Sequence, residues 1–131
     1  ALKYGNQAIV AGVNIIKREG KYFLLEDKSK SIDPIDYAKT LEKLGVGELK
    51  IIFVDLEGLR EGIDISYSKK INNATNIPCI FEGGIGNLDQ LELFFKSGLQ
   101  SICLGTMIVF SDYNIIKIKQ HLINSNFSVR I

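Results

Sequence analysis

The stretch Ile77-Pro78-Cys79-Ile80-Phe81-Glu82-Gly83-Gly84-Ile85-Gly86, followed by Leu88 to Ser97 and then Ser101-Ile102-Cys103-Leu104-Gly105-Thr106, decides how the chain is read. Two short apolar runs each end in a glycine-bearing turn, and the segment between them carries Leu91, Phe94 and Phe95 at helical spacing. The pattern is strand, loop, helix, strand, loop. In parallel α/β proteins the loops after the carboxyl ends of strands hold the ligands. Glycines there let the backbone approach a ligand closely, and free N–H groups at a helix start attract an anion. A phosphate cradle shared by two adjacent loops is the first expectation, with glycines that merely permit tight turns as the alternative.

Working outward, the same alternation extends over the chain. Ala8 to Val13 is an apolar run ending at Asn14 and reads as a strand buried on both faces. Lys17-Arg18-Glu19-Gly20-Lys21 followed by apolar Tyr22 to Leu25 predicts a small hairpin excursion. Asp33-Pro34 signals a helix start, Ile35, Ala38 and Leu41 mark one face of it, and Gly45 is its stop. Leu49 to Asp55 reads as a strand, Leu56 to Asp64 as a loop, and Ile65 to Ala74 as a helix. Pro78 to Phe81 and Ser101 to Leu104 are the next strands, and Ile115 to Asn124 is the closing helix before a tail to Ile131.

Four strand-then-helix units imply a parallel sheet with right-handed crossovers and functional loops on one rim, to which Asn14, Asp55, Glu82 and Leu104 are delivered. This pattern alone leaves open a doubly wound sheet or half of an eight-unit barrel. Gly83-Gly84-Ile85-Gly86 lacks the spacing of a dinucleotide fingerprint.

Composition narrows the classes. The 131 residues suffice for one modest core, so residues 1–131 are expected to form a single domain. Sixteen basic and fifteen acidic residues give a net charge of +1, which offers no footprint for nucleic acid. No apolar run approaches the roughly 18 residues of a membrane span and no signal-peptide pattern opens the chain, so a soluble, cytoplasmic protein without membrane association is expected. Cys79 and Cys103 sit in apolar runs and read as buried hydrophobes, and no metal site or cofactor is indicated. His121, the only histidine, has no nucleophile spaced around it and reads as a surface residue.

Several segments in register resemble the carboxyl-terminal half of the cyclase subunit of imidazole glycerol phosphate synthase, a (β/α)8 barrel of histidine biosynthesis. They are Gly5-Asn6-Gln7-Ala8-Ile9-Val10, Leu44-Gly45-Val46-Gly47-Glu48-Leu49, Asp55-Leu56-Glu57-Gly58, Gly62-Ile63-Asp64, Ile77-Pro78-Cys79-Ile80, Gly83-Gly84-Ile85-Gly86 and Leu104-Gly105-Thr106. The resemblance implies a (β/α)4 half of a TIM barrel, with parallel strands and outer helices, belonging to a longer chain or completed by self-association. It implies ammonia supplied by a glutamine amidotransferase subunit, and a phosphorylated small-molecule substrate held by Glu57, Gly58, Gly83, Gly84, Gly105 and Thr106.

The family's strand-end carboxylate, which performs general acid–base work, corresponds to Asn14, and an amide cannot exchange a proton near neutral pH. Asn14 therefore orients substrate or caps a turn. Asp55 and Glu57 are the remaining candidates for acid–base chemistry, with a solvated acidic loop as the alternative. Glu48 matches a charged residue at the partner-facing gate of the barrel, and Gln7 is expected on the first strand. Glu82 stands where a small residue is usual and would repel a phosphate unless neutralised, with Lys17 or Arg18 as expected partners. With Leu59, these departures suggest an altered substrate. The alternatives are ammonia-dependent amidation of a nucleotide-linked sugar for surface polysaccharide, or a half-barrel that binds phosphate without turnover.

Overall fold

The computed structural model describes residues 3–130, so Ile131 at the end of the expected tail lies outside the described residues. Strands β1 (Val10–Arg18), β3 (Glu48–Phe53), β4 (Cys79–Glu82) and β5 (Ile102–Cys103) are parallel neighbours, and β2 (Lys21–Leu24) runs antiparallel beside β1. The sheet order is β2-β1-β3-β4-β5. Each new parallel strand is added on the same side of the last. With right-handed crossovers, that order puts every helix on one face. A doubly wound sheet needs a reversal of strand order, and this sheet has none. The fold is α/β, four units of the kind that make half a (β/α)8 barrel.

Side-chain alternation follows the same geometry. Val13, Ile15, Leu49, Ile51, Phe53, Cys79 and Phe81 are buried on the helix-bearing face. They form one core with Ala38 of α1 (Pro34–Lys43), Ile71 of α2 (Ile65–Ala74), Leu91 and Phe94 of α3 (Leu88–Lys96), and Ile118 and Leu122 of α5 (Ile115–Asn124). The opposite face carries Gly12, Asn14, Lys50, Ile52, Ile80, Glu82 and Cys103, none of them fully buried. The first strand is thus buried on one face only, not on both as its apolar run suggests, because among the described residues the core forms on the helix-bearing side of the sheet.

Helix ends follow their residues. Asp33 accepts from the N–H groups of Ile35 and Asp36 at 2.9 and 3.1 Å, with Pro34 at the first helical position. α1 ends in a Schellman turn at Gly45 (φ 89°), where Val46 N–H donates to the Leu41 carbonyl. Asp64, Asn87 and Asn114 cap α2, α3 and α5 in the same manner as Asp33.

Three local expectations are corrected. β1 continues past Asn14 to Arg18 because β2 pairs with its far half, through a two-residue turn in which Glu19 (φ 51°) and Gly20 (φ 78°) both adopt positive φ. Gln7 lies in a 3-10 turn (Asn6–Ala8) before the strand. A short helix α4 (Thr106–Val109) follows β5, and its Met107 is buried in the core. Among the described residues, no helix is long and apolar enough to cross a membrane.

Candidate functional site

The strand register places Asn14, Ile52, Glu82 and Cys103 in one lateral row on the inner face, at the carboxyl ends of β3, β4 and β5. Immediately beyond that row, three loops enclose a cavity of about 100 Å³ lined by Glu57, Gly58, Gly83, Gly84, Gly105 and Thr106, with Glu82, Ile85 and Cys103 completing its wall. The loop after β3 supplies the first two residues, the loop after β4 the double glycine, and the loop after β5 the last pair.

The loops after β3 and β4 are stitched together. Gly62 N–H donates to the Gly84 carbonyl at 2.8 Å, Arg60 donates to the Gly86 carbonyl at 3.0 Å, and Gln90 bridges Gly86 N–H and the Arg60 carbonyl. Gly84 is required by this stitching: its φ is +93°, and a Cβ there would collide with the Gly62 carbonyl oxygen. Gly105 has an ordinary negative φ, and a Cβ on it would meet no atom within 4 Å. Packing therefore accounts for Gly84 and leaves Gly105 unexplained.

Glu82 is neutralised, though not by Lys17 or Arg18. Its carboxylate pairs with Lys50, the diagonal neighbour on the same face of β3. The hydrogen bond to Glu82 raises the Lys50 pKa, so the cation persists across neutral pH. Lys17 instead donates from Nζ to Asp64 at 3.2 Å. Burial pushes the Asp64 carboxyl upward, but hydrogen bonds from Tyr67 N–H, the Tyr22 hydroxyl and Lys17 outweigh it and hold Asp64 below the usual carboxylate range.

The sequence-derived acid–base candidates separate. Glu57 lies on the cavity wall. Asp55 accepts from the backbone N–H of Lys17 at 2.9 Å, tying the β1–β2 hairpin to the loop after β3, and its Oδ1 is buried without a hydrogen-bond partner among the described residues. Asn14 donates from Nδ2 to Glu26 Oε1 at 2.6 Å. Glu48 opens β3 at the opposite end of the sheet, half-buried and paired in register with Val10.

Cys103 is half-buried on the cavity wall and not in the core, while Cys79 is buried; both thiols are free. His121 is a partner of Glu92 at 2.7 Å between α5 and α3, and is not a free surface residue. Among the described residues, no group of three His, Cys, Asp or Glu side chains is placed to hold a metal. A second, open groove of about 520 Å³ lies between the hairpin and α2, where Tyr22 stacks on Tyr67 with ring centroids 3.9 Å apart.

Sequence reasoning missed Glu26, Lys50, Arg60 and Gln90. Lys50 alone carried a signal, as a charge within an otherwise apolar strand.

A family model described as histidine biosynthesis protein matches residues 1–114. The chain belongs to the histidine biosynthesis protein family. Within this family it is similar to imidazole glycerol phosphate synthase subunit HisF of Clostridium botulinum (strain Kyoto), with 32% identity over 134 residues that cover 98% of this chain and 53% of the relative. Similarity to the same subunit of Sulfurisphaera tokodaii is 36% over 136 residues, covering 98% and 53%. For Chlorobium limicola it is 31% over 135 residues, covering 100% and 54%. The chain spans about half the length of these curated relatives.

Proposed function

We propose that this chain is the cyclase-like half of an imidazole glycerol phosphate synthase, completed by a second (β/α)4 half. On this reading, ammonia from a glutamine amidotransferase subunit enters at the Glu48 end of the strands, and ring closure takes place at the opposite rim. The observation that carries the reading is the single cavity into which Glu57, Gly58, Gly83, Gly84, Gly105 and Thr106 converge from three separate loops. A phosphate there would meet backbone N–H groups and the Thr106 hydroxyl, with the Glu82 charge offset by Lys50.

A second reading, ammonia-dependent amidation of a nucleotide-linked sugar, draws on the inner row. Asn14 stands at a position where the resemblance implies a carboxylate, and the Lys50–Glu82 pair occupies the same face. Both features reshape the surface on which a substrate would lie.

The test is ammonium-dependent formation of imidazole glycerol phosphate by the protein with its complementary half-barrel supplied. Turnover that falls with Thr106→Ala supports the cyclase reading. Absence of that product, together with amidation of a nucleotide sugar, would replace it with the second.

A further inference from the structure

The carboxylates at the strand ends and loops of the functional rim include Glu26, Asp55, Glu57, Asp64 and Glu82. Three of them are committed. Asp55 is bound to the Lys17 N–H, Asp64 to Lys17, Tyr22 and Tyr67, and Glu82 to the Lys50 ammonium. Glu57 borders the cavity. Glu26 is exposed, has no ion pair among the described residues, and accepts one hydrogen bond, the 2.6 Å contact from the Asn14 amide.

The arrangement around Glu26 is specific. β2 runs back along β1 with Leu24 paired to Ile15, and Leu25 N–H donates to the Asn14 carbonyl at 2.9 Å. Glu26 is the next residue, just past the end of β2, and its side chain turns to the inner-face row to accept from Asn14. Asn14 cannot itself exchange a proton, but its amide N–H fixes the Glu26 carboxylate.

We infer that Glu26 is the proton-transfer group on this edge of the rim and that Asn14 is its positioning residue, an inference that rests on the cyclase reading above. As the ammonia nitrogen attacks, an N–H bond breaks and an O–H bond forms on the Glu26 carboxylate. The same proton then passes to the departing group, which regenerates the carboxylate. Acid–base capacity at this rim therefore resides on the hairpin, two residues beyond the end of β2, and not on β1 itself.

Glu26→Gln separates proton transfer from structure, because a glutamine oxygen still accepts the Asn14 hydrogen bond. The assay is the pH dependence of ammonium-driven formation of imidazole glycerol phosphate by the full chain with its complementary half-barrel. The expected result is a fall in kcat of about 10²- to 10⁴-fold with KM and melting temperature unchanged, and loss of the acidic limb of the profile. Glu26→Asp restores part of the rate. Asn14→Asp sets two carboxylates at hydrogen-bonding distance, and their repulsion moves the acidic limb to higher pH. Turnover by the unaltered protein with an unchanged rate and acidic limb in Glu26→Gln overturns this inference alone. No turnover by the unaltered protein overturns the cyclase reading and this inference with it.

Discussion

Gly84 and Gly105 border the same cavity, yet packing requires only Gly84, and alanine at each position separates fold from ligand. Gly84→Ala places a side chain at φ +93°, which costs about 1–2 kcal/mol. The collision with the Gly62 carbonyl also strains the 2.8 Å hydrogen bond from Gly62 N–H to the Gly84 carbonyl, which contributes about 1 kcal/mol. The sum of about 2–3 kcal/mol corresponds to a urea midpoint lowered by about 1–1.5 M at an m-value of about 2 kcal/mol/M. Gly105→Ala has negative φ and open space around the new Cβ, so its effect on stability stays within about 0.5 kcal/mol.

For binding, the order reverses in its diagnostic value. A methyl group added to the wall of a cavity of about 100 Å³ overpacks a bound phosphate by about 1–3 kcal/mol, which lowers affinity about five- to a hundredfold. Urea unfolding followed by circular dichroism gives the stabilities, and calorimetric titration with imidazole glycerol phosphate gives the affinities. Equal destabilisation by the two variants would refute the distinction between them. A stable Gly105→Ala variant with unaltered affinity would remove the cavity from consideration as the phosphate site.

Two further outcomes follow from the charges. Lys50→Met leaves the Glu82 carboxylate without its cation at the cavity wall; the protein stays folded, with about 1–2 kcal/mol lost, and binds phosphate more weakly, whereas Lys50→Met with Glu82→Ser restores binding, all measurable by the same titration. Lys96 on the same helix, then Ser125 and His121 across from it, hold the Glu92 carboxyl down at about 2 from an ordinary 4.5, so the stability it contributes within α3 and between α3 and α5 is complete above about pH 4.5 and is lost as pH falls toward 2. The stability difference between the protein and its Glu92→Gln variant should therefore shrink over that window in acid unfolding; a difference independent of pH would contradict the assignment.

What the sequence disclosed and what it hid divide along a physical line. Asp33-Pro34, the Gly45 stop and the apolar run from Leu49 to Phe53 are local signals, and each sets its element through its own neighbours. The order of the strand-and-helix units followed from them. The far half of β1 was hidden because Lys17 and Arg18 look like turn residues until β2 pairs with them. α4 was hidden because four residues span barely one helical turn. At the site, the approach of the Gly84 and Gly105–Thr106 loops was legible because both follow the ends of neighbouring parallel strands, whereas Glu57 and Gly58 came into view only through the family resemblance. The partners of Asn14 and Glu82 were not, since Glu26 and Lys50 reach them only through strand register and a hairpin return.

The most direct test of the central claim, that ligand binds where the loops after β3, β4 and β5 meet, is a map of backbone amide shifts during titration with imidazole glycerol phosphate. Saturable shifts at Gly58, Gly84, Gly105 and Thr106 are predicted, with the groove between the hairpin and α2 unaffected. Shifts confined to that groove, around Tyr22, Tyr67 and Lys70, would contradict the account.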